Sequence, residues 1–247
     1  MKQVRFNYNK KEYIGILEDN KVLVNIDRKK KEFFLEDIEL LSPCIPSKVV
    51  CVGLNYLDHI KELNMKVPGN PIIFIKPSTS VIGYKQNIIY PKCSKRLDYE
   101  AELAVVVKNK IKSVSRKEAK KHILGYTCFN DVTCRDIQKK EGQWSRAKSF
   151  DTFSVIGPCI ETDFLKLKDI KICSYLNGQL KQNSKTSNMI FDVFYLIEFI
   201  SSIMTLLPQD VIATGTPVNV GQMKVGDEIV VEIEGIGRLV NNVIAEV

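Results

Sequence analysis

No apolar run in this chain is long enough to cross a bilayer, and Met1-Lys2-Gln3-Val4-Arg5 is not followed by the apolar stretch of a signal peptide. The expectation is a cytoplasmic protein with no membrane partner. Its seven cysteines form no CxxC pair, and none has a base at diagnostic spacing. That disfavours a thiol nucleophile, and the odd count points to free thiols in a reducing compartment. Gly235-Ile236-Gly237 has too few glycines for a dinucleotide fingerprint and reads as a turn between short strands. There is no internal repeat and no low-complexity segment.

The formal charge is +7, from 36 Lys plus Arg against 29 Asp plus Glu. The basic residues are scattered, with lysine-rich stretches at 28 to 31, 108 to 112, 117 to 121 and 166 to 171, without an aromatic-basic platform or zinc knuckle. This pattern describes solvated surface and no nucleic-acid partner. A positive field also assists capture of small dicarboxylates if it reaches the pocket. With 45% hydrophobic residues among 247, the chain has enough apolar material for a large core.

Short strand-like stretches over residues 2 to 40 read as a small N-terminal β unit. Leu41-Ser42-Pro43-Cys44-Ile45-Pro46 reads as a junction, which divides the chain into 1–45 and 46–247. Beyond it, strands are expected at Lys48–Gly53, Ile72–Pro77, 99–107, Ile123–Asn130, Val211–Thr214 and Asp227–Ile233. A short helix is expected around Tyr56, His59 and Glu62, a surface helix over 115–123, and a longer helix over Phe191–Leu207. Strands outnumber helices without regular β-α alternation, so the fold class is β-rich α+β and not a Rossmann domain.

Chemistry concentrates on a few residues. In Asp98-Tyr99-Glu100-Ala101-Glu102-Leu103, the two glutamates are two apart in a strand and leave the sheet on one face, with Cα atoms roughly 6 to 7 Å apart. Asp131 supplies a third carboxylate, and three such oxygens fill one side of a Mg²⁺, Mn²⁺ or Ca²⁺ shell. The same spacing also suits a solvated strand end. His59, one of two histidines, is three residues before Glu62, so a helix places both on one face as a general-base pair or as a satisfied surface pair. His122, beside Lys120 and Lys121, reads as surface. Lys148 suits either enolate stabilisation or plain surface, and Arg135 and Gln138 suit substrate contact or support. Thr214-Gly215-Thr216 ends a strand with two hydroxyls around a glycine, a cradle for a carboxylate or a tight turn.

Together these segments resemble the fumarylacetoacetate hydrolase family, especially its acylpyruvase and hydroxymuconate-isomerase-like members. The carriers are Gly53-Leu54-Asn55-Tyr56-Leu57-Asp58-His59-Ile60-Lys61-Glu62, Ile73-Phe74-Ile75-Lys76-Pro77, Asp98–Leu103, Asn130-Asp131-Val132-Thr133, Arg146-Ala147-Lys148-Ser149-Phe150-Asp151 and Ala213-Thr214-Gly215-Thr216-Pro217, in family order. The resemblance covers about residues 46 to 247. It implies a mixed β-sandwich roll and a homodimer, with Mg²⁺ or Mn²⁺ on Glu100, Glu102 and Asp131. It also implies a helical lid with His59 and Glu62, an active-site lysine at Lys148, and substrate contacts from Arg135, Gln138, Thr214, Gly215 and Thr216. Two positions depart from the family pattern: Gln209 and Asn219 stand where glycine is common.

The activity so implied acts on 2-oxo or 2-enol carboxylates through a metal-stabilised enolate. C–C hydrolysis of an acylpyruvate, with water activated by His59 and Glu62, is the first expectation. Isomerisation of hydroxydienoates or oxaloacetate and decarboxylation of oxaloacetate use the same centre. A non-catalytic metal-binding or scaffold protein is the reading of another class.

Overall fold

The structure is a computed structural model that describes residues 1–62, 64–163 and 169–247; residues 166 to 168 of the last lysine run lie outside that range. The first 40 residues form β1 (Lys2–Tyr8), β2 (Lys11–Glu18), β3 (Lys21–Ile26), β4 (Lys29–Phe34) and β5 (Glu39–Leu40). Next come β6 (Lys48–Gly53), α1 (Leu57–Glu62), β7 (Ile72–Pro77), β8 (Val81–Ile82), β9 (Ile88–Tyr90), β10 (Leu97–Tyr99) and β11 (Ala101–Val107). After β12 (Ile123–Asp131) and β13 (Thr133–Cys134), α2 (Arg135–Glu141) and α3 (Ser145–Lys148) lead to β14 (Ser154–Glu161), β15 (Lys171–Leu176) and β16 (Gln179–Lys185). The chain finishes with α4 (Val193–Ile203), β17 (Val211–Ala213), β18 (Gly221–Met223), β19 (Glu228–Ile233) and β20 (Gly237–Ala245).

A large mixed sheet runs in the order β4-β3-β2-β1-β14-β12-β11-β17-β6-β7, with β5 on β1 and β8 on β14. The N-terminal strands therefore extend this sheet, through Lys2 opposite Glu161 and Gln3 opposite Ile160. A five-stranded sheet, β16-β15-β19-β20-β9, and a three-stranded one, β13-β10-β18, complete the roll. Among the described residues no helix is long and apolar enough to cross a membrane.

Every residue of β11 is buried, because the strand is covered on both faces. Leu103, Val105 and Val107 enter the larger core, while Ala104 and Val106 enter a smaller one with Cys51, Phe129, Ile156 and Ala213. The two-residue period continues that smaller face to Glu102 on β11 and, from Phe129, to Asp131 on β12. The carboxylates thus cap the end of an apolar layer.

Three expected elements differ. The helix expected over 115–123 is reduced to one 3-10 turn, Ala119–His122. Arg116, Lys117, Lys120 and Lys121 crowd like charges there, and the chain must become extended at Ile123 to enter β12. The helix expected over Phe191–Leu207 starts at the Asp192 cap, whose side chain accepts from Tyr195 N at 2.9 Å. It stops at Ile203, and Leu206 bridges to Ile111 in extended form. The strand expected over 99–107 is interrupted at Glu100. Gln209 and Asn219 both adopt φ of 69°, the left-handed conformation in which glycine is favoured, so both turns persist with a side chain present.

Candidate active site

Antiparallel pairing of β11 and β12 sets Glu102 opposite Phe129, and Asp131 N donates to Glu100 O at 2.9 Å. Glu100, Glu102 and Asp131 therefore meet from two adjacent strands, with ligand oxygens within 4.8 Å of one another and relative exposures of 6, 2 and 1%.

Cations compensate two of the three. Lys148 Nζ, from α3, donates to Asp131 Oδ2 at 2.6 Å, Glu100 Oε2 at 3.0 Å and Thr133 Oγ1 at 2.8 Å. Lys76, fully buried in β7, pairs with Asp131 and donates to Phe153 O at 2.6 Å. Arg135 pairs with Glu100 through Nη2 and donates to Asp98 at 2.9 Å and to Gln138 Oε1 at 2.6 Å. Glu102 forms no ion pair among the described residues; its Oε2 accepts from Gly215 N at 2.8 Å.

The titration behaviour follows this asymmetry. Burial opposes the charge on Glu100, but Lys148 and Arg135 outweigh it and hold the carboxyl down at about 2. Burial, then the Asp131 and Glu100 charges, push Glu102 well above the carboxylate range. For Lys148 burial works against the ammonium, yet Asp131 and Glu100 raise it to about 12. An all-oxygen set with one uncompensated carboxylate fits a hard divalent cation, which would supply the missing positive charge.

Above this floor, β6 ends at Gly53, where a Cβ would approach the Trp144 ring to 2.6 Å. Asn55 is fully buried; its amide donates to Thr214 O at 2.8 Å and accepts from Phe191 N at 2.8 Å, tying the approach to α1 to the 214–216 turn. Gly215 sits at φ 96°, where a Cβ would fall 2.9 Å from Asn55 Cβ. In α1, His59 Nδ1 lies 2.9 Å from Glu62 Oε2. Asp58 accepts from His59 N at 2.8 Å and from Ser184 Oγ at 2.5 Å, anchoring the helix to β16.

His59, Glu100, Glu102, Asp131, Arg135, Gln138, Lys148 and Thr216 line one cavity of about 270 Å³, together with apolar walls that include Phe74 and Trp144. Glu62 stands behind His59, outside that lining. Thr214 and Gly215 also lie behind the wall: the Thr214 hydroxyl donates to Leu103 O at 2.9 Å, and Gly215 holds Glu102. His122 is remote from this group and contacts Asn109.

Sequence reasoning missed Lys76, Asn55, Asp98 and Gln182 as parts of the site. A lysine inside Ile-Phe-Ile-Lys-Pro was a legible signal for the first, because a charge in a buried strand needs a partner. Gln182 gave no signal. It comes from β16 in the other sheet, accepts from Ala101 N at 3.0 Å, and donates to Thr216 Oγ1 and Pro217 O at 2.9 Å each. It thereby holds the strand interruption that carries Glu100 against the 214–216 turn. Gln182→Leu should cost ~2–4 kcal/mol in urea unfolding, because several buried groups lose partners. It should also weaken Mg²⁺ affinity about tenfold by calorimetry; wild-type affinity in a folded variant would exclude the positioning role.

A protein of Archaeoglobus fulgidus described as uncharacterized is 51% identical over 240 residues, covering 97% of this chain and 95% of that one. The mitochondrial oxaloacetate tautomerase Fahd2a of Rattus norvegicus is 42% identical over 209 residues, covering 81% of this chain and 67% of that one. A crystal structure of 5-carboxymethyl-2-hydroxymuconate delta-isomerase from Mycobacterium smegmatis superposes with a TM-score of 0.92 at 39% identity, over all of both chains. The family model for the fumarylacetoacetate (FAA) hydrolase C-terminal domain matches residues 48–244. That span begins at the strand leading into the His59 helix and ends in the last strand, so it contains every residue lining the cavity. The roll and the sequence thus agree, and the chain belongs to the fumarylacetoacetate hydrolase family.

Proposed function

We propose that the cavity takes a small 2-oxo or 2-enol carboxylate with a divalent cation and moves a proton at the carbon beside the oxo group. The observation that carries this reading is that His59, braced by Glu62 at 2.9 Å, faces the same cavity as the three carboxylates. Mg²⁺ or Mn²⁺ held by Glu100, Glu102 and Asp131 would act as a Lewis acid toward charge developing on the substrate oxygen. Glu62 occupies Nδ1 and leaves Nε2 for chemistry. His59 takes a proton from the substrate C3, the C–H electrons form the C2–C3 double bond, and the 2-oxo oxygen gains the proton. The reverse regenerates the keto form. The ammonium of Lys148 and the guanidinium of Arg135 place positive charge beside the developing oxyanion.

Enol–keto isomerisation leads because one relative is named an oxaloacetate tautomerase and a second similar protein is named an isomerase of a 2-hydroxymuconate. C–C hydrolysis of an acylpyruvate is the second reading, supported by the same histidine–glutamate pair. There His59 takes a proton from water, hydroxide attacks the distal carbonyl, and the C–C bond electrons pass to the pyruvate fragment, which is then protonated. A cytoplasmic homodimer is the setting that the family resemblance and the free thiols support.

NMR of metal-stripped protein, with and without Mg²⁺ or Mn²⁺, separates these outcomes on oxaloacetate and acetylpyruvate. Metal-dependent acceleration of oxaloacetate enol–keto exchange is the expected result. Acetate plus pyruvate from acetylpyruvate would establish the hydrolase, and carbon dioxide from oxaloacetate a decarboxylase. No metal-dependent change with either compound would overturn the proposal and favour a binding protein.

A further inference from the structure

The cavity runs from a buried floor, which carries the carboxyl groups of Glu100, Glu102 and Asp131, to an exposed side chain at Lys139. Its walls are largely apolar, with Phe74 and Trp144 edge to face at 5.3 Å. Three cationic side chains also line it: Arg135, Lys148 and Lys139. Arg135 is engaged by Asp98, Glu100 and Gln138, and Lys148 by Glu100, Asp131 and Thr133. The Lys139 ammonium makes no ion pair or hydrogen bond among the described residues, and this side chain is exposed while the floor is buried. It stands four residues after Arg135 in α2, so the helical repeat sets both side chains on the cavity face.

A 2-oxo monocarboxylate satisfied at the floor would leave this ammonium without a partner. A second anionic group at the far end of a substrate finds in Lys139 a lining cation that no protein carboxylate engages among the described residues. We propose that Lys139 is a specificity-determining residue that selects 2-oxo acids carrying a distal carboxylate over neutral-ended ones of the same size. This rests on the proposed binding of the 2-oxo acid end at the carboxylate floor. An exposed lysine contributes modestly and is screened by salt, so the expected effect is severalfold, not orders of magnitude.

Oxaloacetate and acetylpyruvate are a matched pair for the test, because they differ at C4 by a carboxylate oxygen against a methyl group. In Mg²⁺-loaded protein, Lys139→Met should lower kcat/KM for oxaloacetate about five- to tenfold, mainly through KM, and change acetylpyruvate less than about twofold. Lys139→Arg should retain the preference, and raising salt from ~20 to ~200 mM should erode it in the wild type but not in Lys139→Met. Calorimetric binding of oxaloacetate against 4-methyl-2-oxopentanoate supplies a readout independent of turnover. A wild-type binding preference for oxaloacetate that Lys139→Met abolishes would uphold the inference even if neither compound were turned over, a result that would defeat only the catalytic reading. Equal effects on both compounds, or none on oxaloacetate, would overturn the role of Lys139 and leave the catalytic reading intact.

Discussion

Turnover of the best 2-oxo acid substrate is expected to fall about 10²–10⁴-fold in His59→Ala, with Mg²⁺ affinity unchanged. The imidazole lines the cavity but lies outside the cluster of three carboxylates, so its loss removes a base without removing a ligand. Glu62→Gln should show a smaller loss, about tenfold, because the amide still contacts Nδ1 at the 2.9 Å position while losing the charge that supports an imidazolium. Steady-state kinetics with calorimetric Mg²⁺ titration checks both. Full activity in His59→Ala would assign the proton transfer elsewhere. Loss of acetylpyruvate cleavage with retained oxaloacetate exchange would restrict His59 to activating water.

Glu102→Gln should act in opposite directions on the metal-free and metal-loaded protein. In the wild type, burial and the charges of Asp131 and Glu100 raise this carboxyl above its unfolded value. The folded state then holds the proton more tightly than the unfolded state. That advantage is lost as pH rises from the ordinary carboxylate range through the raised folded value. At neutral pH the metal-free variant should therefore melt roughly 2–4 °C higher, the shift expected for ~1 kcal/mol in a chain of this size. Its amide oxygen can still accept from Gly215 N. Added Mg²⁺ should stabilise the wild type by about 2.7 kcal/mol at a concentration 100-fold above Kd and leave the variant unmoved. Thermal melts across pH 5–8, with and without Mg²⁺, read both signs. A lower metal-free Tm for the variant, or an undiminished Mg²⁺ shift, would contradict this account of Glu102.

The residue types at the centre were legible because strand and helix periods are local. Two-residue spacing places Glu100 and Glu102 on one face, and three-residue spacing brings His59 to Glu62. Asp131 was visible as an acid at a strand end, but only the β11–β12 pairing brings it beside Glu100. The interruption at Glu100 was not legible, since Gln182, 81 residues after Ala101, takes the Ala101 N–H. Thr214 and Gly215 looked like cradle residues, yet Asn55 and Leu103 draw that turn behind the cavity wall.

The chain alone determined the donor chemistry, the β-rich class and the family resemblance, because apolar periodicity and short motifs reside in neighbouring residues. Tertiary structure decided which charges cancel. Lys76 reaches Asp131 across 55 positions and Lys148 reaches Glu100 across 48, whereas Glu102 is held by a backbone amide and forms no ion pair among the described residues. Coulomb energy depends on distance through space and on burial, and both arise only when separate strands and helices pack around one cavity.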